Sequence, residues 1–137
     1  LEFRRVLFRS NSTTSASNEG SGIININGNV YVKSTGYALY AQKSGKINLK
    51  GEKAAFDENG NYLSGIYIET TANAAMTIDD ANINLCGGTL KTTSTSTYYD
   101  IYSNSTGYIY YNSKVELLDE RIYNENGRAI LDDTKCH

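Results

Sequence analysis

A single histidine, His137, is all the imidazole this 137-residue chain has, and cysteine occurs only twice. No Ser-His-Asp set can be assembled around one terminal histidine. Four zinc ligands cannot be found either, because Cys86 and Cys136 lie 50 residues apart with neither a CxxC nor a zinc-site spacing. The two cysteines read as unpaired or incidentally buried thiols, a usage that fits the cytosol or a bacterial exterior without disulfides. No apolar run approaches the roughly 18 residues of a membrane span. An excess of positive charge is lacking too: the formal net charge is -2, which gives a nucleic-acid partner no electrostatic support. Neither an EF-hand loop nor a Gly-Gly-x-Gly-x-Asp repeat is present, so calcium has no sequence signature. Proline and tryptophan are absent, whereas tyrosine occurs twelve times among abundant Thr, Ser, Asn and Gly. That mixture favours strands and tight turns over helices.

What is present repeats. Val30-Tyr-Val-Lys-Ser-Thr-Gly-Tyr-Ala-Leu-Tyr40 returns 71 positions later as Ile101-Tyr-Ser-Asn-Ser-Thr-Gly-Tyr-Ile-Tyr-Tyr111, with six identities. A second motif, Gly-x-Ile-Asn-Φ-x-Gly, runs from Gly22 to Gly28 and from Gly45 to Gly51, then from Ala81 to Gly87 with alanine first. The first two copies are 23 residues apart, and 71 is close to three times that. Both repeats therefore fit the length of one β-solenoid coil, although they cannot share one phase unless a strand shifts. The expected fold is all-β, a parallel β-helix of four to five coils over residues 22–137. Aliphatic residues alternate with polar ones at Ile24 and Ile26, Val30 and Val32, and Ile47 and Leu49. The same pattern continues through 66–68, 76–78, 83–85, 101–102, 108–110, 115–117 and 121–123. Gly51 to Leu63 and Thr92 to Thr97 break the period and read as insertions. The first should turn at Asn59-Gly60, and Glu52 to Asp57 is the one place that admits a short helix.

Residues 1–10 match nothing else in the chain. Glu2-Phe3 is what a GAATTC restriction site encodes, and Leu7-Phe8-Arg9-Ser10 reads from the end of a common sequencing adapter. They are expected to be a translated vector or adapter scar, so that the chain is a fragment. Residues 11–21 are small and polar and read as a flexible lead-in or part of a less regular coil. Removing the scar's three arginines and one glutamate takes the net charge to -4.

Six Φ-Tyr pairs put Tyr31, Tyr40, Tyr67, Tyr102, Tyr110 and Tyr123 outward if their aliphatic partners point inward. In register at about 4.8 Å, such rings would make an aromatic strip able to stack on sugars or a protein, or simply steady the sheet. Asn25, Asn48 and Asn84 suggest an amide ladder. Asp57, Glu58, Asp79, Asp80, Asp119, Glu120, Asp132 and Asp133 do not repeat and mostly flank turns, which marks solvated turn acids. Asp79-Asp80 is the best pair for catalysis, yet adjacent strand residues face opposite sides.

Short alternating strands with Gly-x-Ile-Asn-Φ motifs and Asn-Gly corners resemble the right-handed parallel β-helix passenger regions of bacterial autotransporters and related surface adhesins, over about residues 20–131. The resemblance implies a secreted or surface-displayed, non-enzymatic module without cofactor or metal, touching glycans or a host or matrix protein. Open end strands imply edge-to-edge self-association. Two alternatives stand beside it. One is a set of non-catalytic coils from a carbohydrate-active β-helix enzyme, for which a cleft of Asp79, Asp80 and Lys53 or Lys91 would argue. The other is a purely structural stalk.

Overall fold

A computed structural model describes residues 5–10, 14–18, 22–93, 97–103, 106–124 and 126–136. Every regular element among them is a strand, and the chain passes through three sheets in the same order five times. The first round is β1 (Arg5–Ser10), β2 (Thr14–Asn18) and β3 (Ile23–Asn27). The second is β4 (Asn29–Ser34), β5 (Tyr37–Ala41) and β6 (Lys46–Lys50). A hairpin, β7 (Ala55–Phe56) and β8 (Tyr62–Ser64), then interrupts the series. The third round is β9 (Ile66–Thr70), β10 (Ala75–Thr77) and β11 (Asn82–Cys86). The fourth is β12 (Gly88–Thr92), β13 (Ile101–Ser103) and β14 (Tyr108–Tyr111), and the fifth β15 (Val115–Leu117), β16 (Ile122–Asn124) and β17 (Ala129–Leu131). The first sheet runs β1-β4-β9-β12-β15, the second β2-β5-β10-β13-β16 and the third β3-β6-β11-β14-β17, all parallel. The arrangement is consistent with a β-solenoid.

Alternation explains why these short strands hold together. In the third sheet Ile24, Ile47, Ile83, Ile109 and Ala129 are successive register partners, and two residues along, on the same face, Ile26 pairs with Leu49 and Leu49 with Leu85. The first sheet contributes Val32, Ile68 and Leu90, and the second Leu39, Ala75 and Ile101. They meet in one core in which Leu39, Ile47, Ile66, Ile68, Ile83, Leu85, Leu90, Ile101 and Ile109 are fully buried. Burying each such side chain contributes about 1.5–3 kcal/mol.

The corners are as specific as the rows. The closing glycine of the third Ile-Asn motif, Gly87, has φ +93°, and a Cβ there would fall 1.8 Å from the carbonyl oxygen of Gly51. Only glycine lets the chain turn from the third sheet into the next round so close to the round before it.

Several expectations need correction. Regular structure begins before residue 22, since β1 and β2 lie within the segments read as scar and flexible lead-in. The open backbone groups of β4 and β5 accept any extended chain, whatever its side chains. Residues 1–4, 11–13 and 19–21 of those segments lie outside the described residues. No helix forms over Glu52 to Asp57, because Ala55–Phe56 pairs with Tyr62–Ser64 and the Phe56 ring packs on Tyr67 and Tyr62. The turn does fall at Asn59-Gly60, with Asp57 Oδ1 accepting the Asn59 and Asn61 amides. Of the Thr92 to Thr97 run, Thr92 is buried in β12 and residues 94–96 lie outside the described residues. Met76 faces outward and Ala75 and Thr77 face inward, the reverse of the aliphatic-in pattern. The 71-residue repeat is not three whole coils: Val30 lies in the first sheet and Ile101 in the second, two rounds and one strand further on. After the shared Ser-Thr-Gly-Tyr corner the faces also flip. Leu39 points in and Tyr40 out, whereas Ile109 points in and Tyr111 packs against the core at the next inward position.

The cysteines are not free thiols. Cys86 and Cys136 form a disulfide with Cα atoms 5.7 Å apart. Stacking brings them together: Cys86 faces outward on β11, and the segment after β17 folds back across the outer face of the third sheet. Asp132 N donates to Tyr111 O at 2.9 Å, and Asp133 Oδ1 accepts from Ser113 N and Oγ at 2.8 Å each. A linear separation of 50 residues could not disclose that contact.

Candidate functional site: the outer face of the third sheet

The six Φ-Tyr rings point away from the core, but three different sheets carry them. Tyr31 and Tyr67 are partners on the first sheet, with ring centroids 5.3 Å apart. The hairpin covers them: Tyr67 is only 6 % exposed, beneath Phe56, and its hydroxyl donates to Glu69 Oε1 at 2.5 Å. Burial, reinforced by that carboxylate, pushes the phenol's pKa well above its ordinary value. On the second sheet the row reads Tyr40, Met76, Tyr102, Tyr123, so Met76 interrupts it. Tyr102 and Tyr123 stack at 4.5 Å, with Tyr99 from the preceding corner beside both. Tyr110 stands alone of the six on the third sheet. No single strip exists, and the first-sheet pair serves as packing for the hairpin.

The asparagine ladder is in place. Asn25, Asn48 and Asn84 are register partners; Asn48 Nδ2 donates to Asn25 Oδ1 at 3.0 Å, and Asn84 Nδ2 to Asn48 Oδ1 at 2.8 Å. The next position in this row is Tyr110. Two residues earlier along each strand, on the same face, a parallel row reads Lys46, Asn82, Tyr108. The two rows floor an open groove of about 440 Å³ lined by Lys46, Asn82, Asn84, Tyr108, Tyr110 and Lys135. Tyr108 and Tyr110 lie 5.6 Å apart with planes 5° from parallel. Arg128 sits 4.4 Å over Tyr108 and Lys135 4.9 Å over Tyr110. Lys135 is held there because the neighbouring Cys136 is bonded to Cys86, the next outward residue after Asn84 on β11.

Of these groove residues only Asn84 and Tyr110 were singled out from sequence. Tyr108 had a readable signal, since Gly107-Tyr-Ile-Tyr110 continues the Ala81-Asn-Ile-Asn84 pattern with tyrosine at both asparagine positions. Lys46 lies inside the second motif copy. Lys135 had none, because its place depends on the disulfide.

The acids do not converge. Asp57 and Glu58 sit at the hairpin turn, Asp79 and Asp80 are exposed between β10 and β11, and Asp132 and Asp133 lie in the C-terminal segment. Hydrogen bonds from Asn61, Thr134 and Ser113 hold Asp57, Asp132 and Asp133 respectively below the usual carboxylate range. Lys53 and Lys91 belong to the first-sheet side, away from the Asp79-Asp80 corner. Asp119 and Glu120 occupy the corner between β15 and β16, where Asp119 lies beside Asp100, which has no motif to mark it in the sequence. Asp100 is fully buried; its Oδ2 accepts the Asp119 amide at 2.9 Å, and its Oδ1 has no hydrogen-bond partner among the described residues. Desolvation, with the adjacent Asp119 charge, pushes Asp100 up to about 7 against the pull of backbone hydrogen bonds from Asp119 and Arg121. Among the described residues no group of three or more His, Cys, Asp or Glu is placed to hold a metal ion, and no helix is long and apolar enough to cross a membrane. His137 lies outside the described residues. Comparison of the chain with protein-family models, with curated proteins and with solved structures yields no match.

Proposed function

We propose that the chain is a parallel β-helix working as a secreted or surface-displayed contact module, in the manner of an adhesin or autotransporter passenger, and not as an enzyme. The observation that carries this reading is the outer face of the third sheet. There, two register-matched rows leave the amides of Asn82 and Asn84 and the phenols of Tyr108 and Tyr110 half-exposed, beside exposed lysines, above a core that the inward isoleucines and leucines fill. A rigid face with rows set at strand spacing suits repeated contacts with an extended partner, and tyrosine supplies contact area at low conformational cost. The disulfide supports an oxidising location outside the cytosol. Most acids lie at separate corners, and in the close pair of Asp100 and Asp119 the Asp100 carboxyl is fully buried, which favours contact over glycan cleavage by a pair of accessible carboxyls.

A panel of immobilised glycans and matrix proteins tests the reading on the purified chain. Binding to at least one of them, without cleavage, is expected. Binding to none would make the module a stalk, and release of shortened glycan products would make it part of an enzyme.

A further inference from the structure

We propose that the groove on the third sheet is a binding site for an anionic glycan, a chain of sugars bearing carboxylate or sulfate groups. This rests on the reading of the chain as a contact module. Among the described residues six side chains line the groove: two lysines, two asparagines and two tyrosines, with no carboxylate among them. On a chain of net charge -2 this is a local reversal of sign, and a concave site of one sign concentrates ions of the other. The Lys46-Asn82-Tyr108 row also continues to a cation. β17 pairs with β14 through Ile109 and Ala129, which places Arg128 beside Tyr108, so the row runs from the exposed Ile23 through Lys46, Asn82 and Tyr108 to Arg128, with a cation on either side of the Asn82-Tyr108 pair.

The neutral groups narrow the class from anion to sugar. Asn84 donates its Nδ2 to Asn48, so its Oδ1 is the last acceptor of the ladder and faces the Tyr110 end of the groove. Asn82 adds an amide with both donor and acceptor, and Tyr108 and Tyr110 add hydroxyls beside apolar ring surface. Hydroxyl-rich rings with apolar C–H faces use such groups together, whereas a small inorganic anion would use only the cations. Floor positions repeat every strand, so the three strands β6, β11 and β14 present equivalent groups over about 10 Å, which suits a short run of sugars more than one monosaccharide. The remaining wall is Lys135, exposed and held over Tyr110 by the disulfide-closed segment.

The test compares dextran, carboxymethyl-dextran and dextran sulfate, one backbone with three charge states, in titrations against the oxidised full chain at low and moderate salt. At least one anionic dextran is expected to bind about tenfold tighter than dextran, and to weaken as salt rises. Whichever of the two binds tighter identifies carboxylate or sulfate as the preferred group. A Lys46→Gln/Lys135→Gln variant should lose about tenfold, the equivalent of two exposed charge contacts. Lys91→Gln, on the first sheet, should lose nothing. Both lysines of the groove are exposed, so an unchanged melting curve for the double variant is expected and separates lost binding from lost folding. Equal binding of all three dextrans, or full binding by the double variant, overturns the anionic site. If the anionic dextrans fail while a neutral glycan or a matrix protein binds, the site falls and the contact-module reading stands. If nothing on the panel binds, both fall.

Discussion

Replacing both cysteines, Cys86→Ser with Cys136→Ser, should loosen the C-terminal end of the stack before the rest. The bond closes a loop of 50 residues that contains all of rounds four and five. In the chain-entropy treatment, a loop of that length constrains the unfolded ensemble by about 4 kcal/mol at 25 °C. What it restrains is a round less well buried than the two before it. Val115, Leu117 and Ile122 of the fifth round are only partly buried, whereas Leu90 and Ile101, the register partners of Leu117 and Ile122, are fully buried. Each round is stabilised chiefly by its neighbours, so without the bond β15–β17 have one interface and no tether. Urea unfolding followed by circular dichroism, with amide hydrogen exchange, reads this directly. The variant should lose up to about 4 kcal/mol, and protection should fall first in β15–β17. Reduced native chain should behave like the variant. Equal midpoints for the oxidised chain and the variant, with equal protection in the last round, would refute the reasoning.

Gly87→Ala forces a left-handed backbone on alanine and drives its Cβ into Gly51 O. A loss of at least ~2 kcal/mol is expected in thermal or urea unfolding, and a neutral result would mean the corner relaxes. Asn48→Ala removes the middle rung and both ladder bonds. Partial exposure limits the cost to about 1–2 kcal/mol, and a double-mutant cycle with Asn84→Ala should show coupling that Asn84→Ala with Asn61→Ala does not. Asp100 titrates near 7 in the folded chain against about 3.9 unfolded, so folding takes up a proton between those values. Its contribution is fully present below about pH 4, declines as pH rises to 7 and is gone above it, a change on the order of 2–4 kcal/mol. Asp100→Asn should remove that slope from urea midpoints measured at pH 5 and pH 8; an unchanged slope would place the titration elsewhere. Open end strands also predict concentration-dependent association, to be read by light scattering.

Alternation and motif spacing were enough to place the third sheet. The three Ile-Asn copies stack in register because an isoleucine two residues after a small residue and four before a glycine defines both the inward row and the corner. Where strands are built mainly of small and polar residues, as in Gly88-Thr-Leu-Lys-Thr92 or Ala75-Met-Thr77, hydrophobicity alone does not say which face is inward, and the alternation read from Met76 and Ile78 puts Met76 on the wrong one. The same limit explains the aromatic expectation. Each Φ-Tyr pair correctly orients its tyrosine outward, but which sheet a strand joins depends on the number of corners before it, so six similar pairs were distributed over three faces. The groove was half legible for the same reason. Asn84 and Tyr110 carry local signals, whereas Lys135 enters through a covalent closure between residues far apart in the chain.

The near-copies at Val30–Tyr40 and Ile101–Tyr111 occupy different sides of the molecule. A strand's side is therefore decided by its place in the count and not by its own residues, since all three sides ask only for an aliphatic residue at alternate positions. Adding or deleting one strand with its corner would pass every downstream strand to the next side while leaving the interior acceptable. The outer surface can in this way be re-dealt as a block, with Tyr108, Tyr110 and their cations carried to a new side together or parted from the lysine and asparagines that now complete their groove. The interior tolerates such slippage; the binding face is where its effect would be felt.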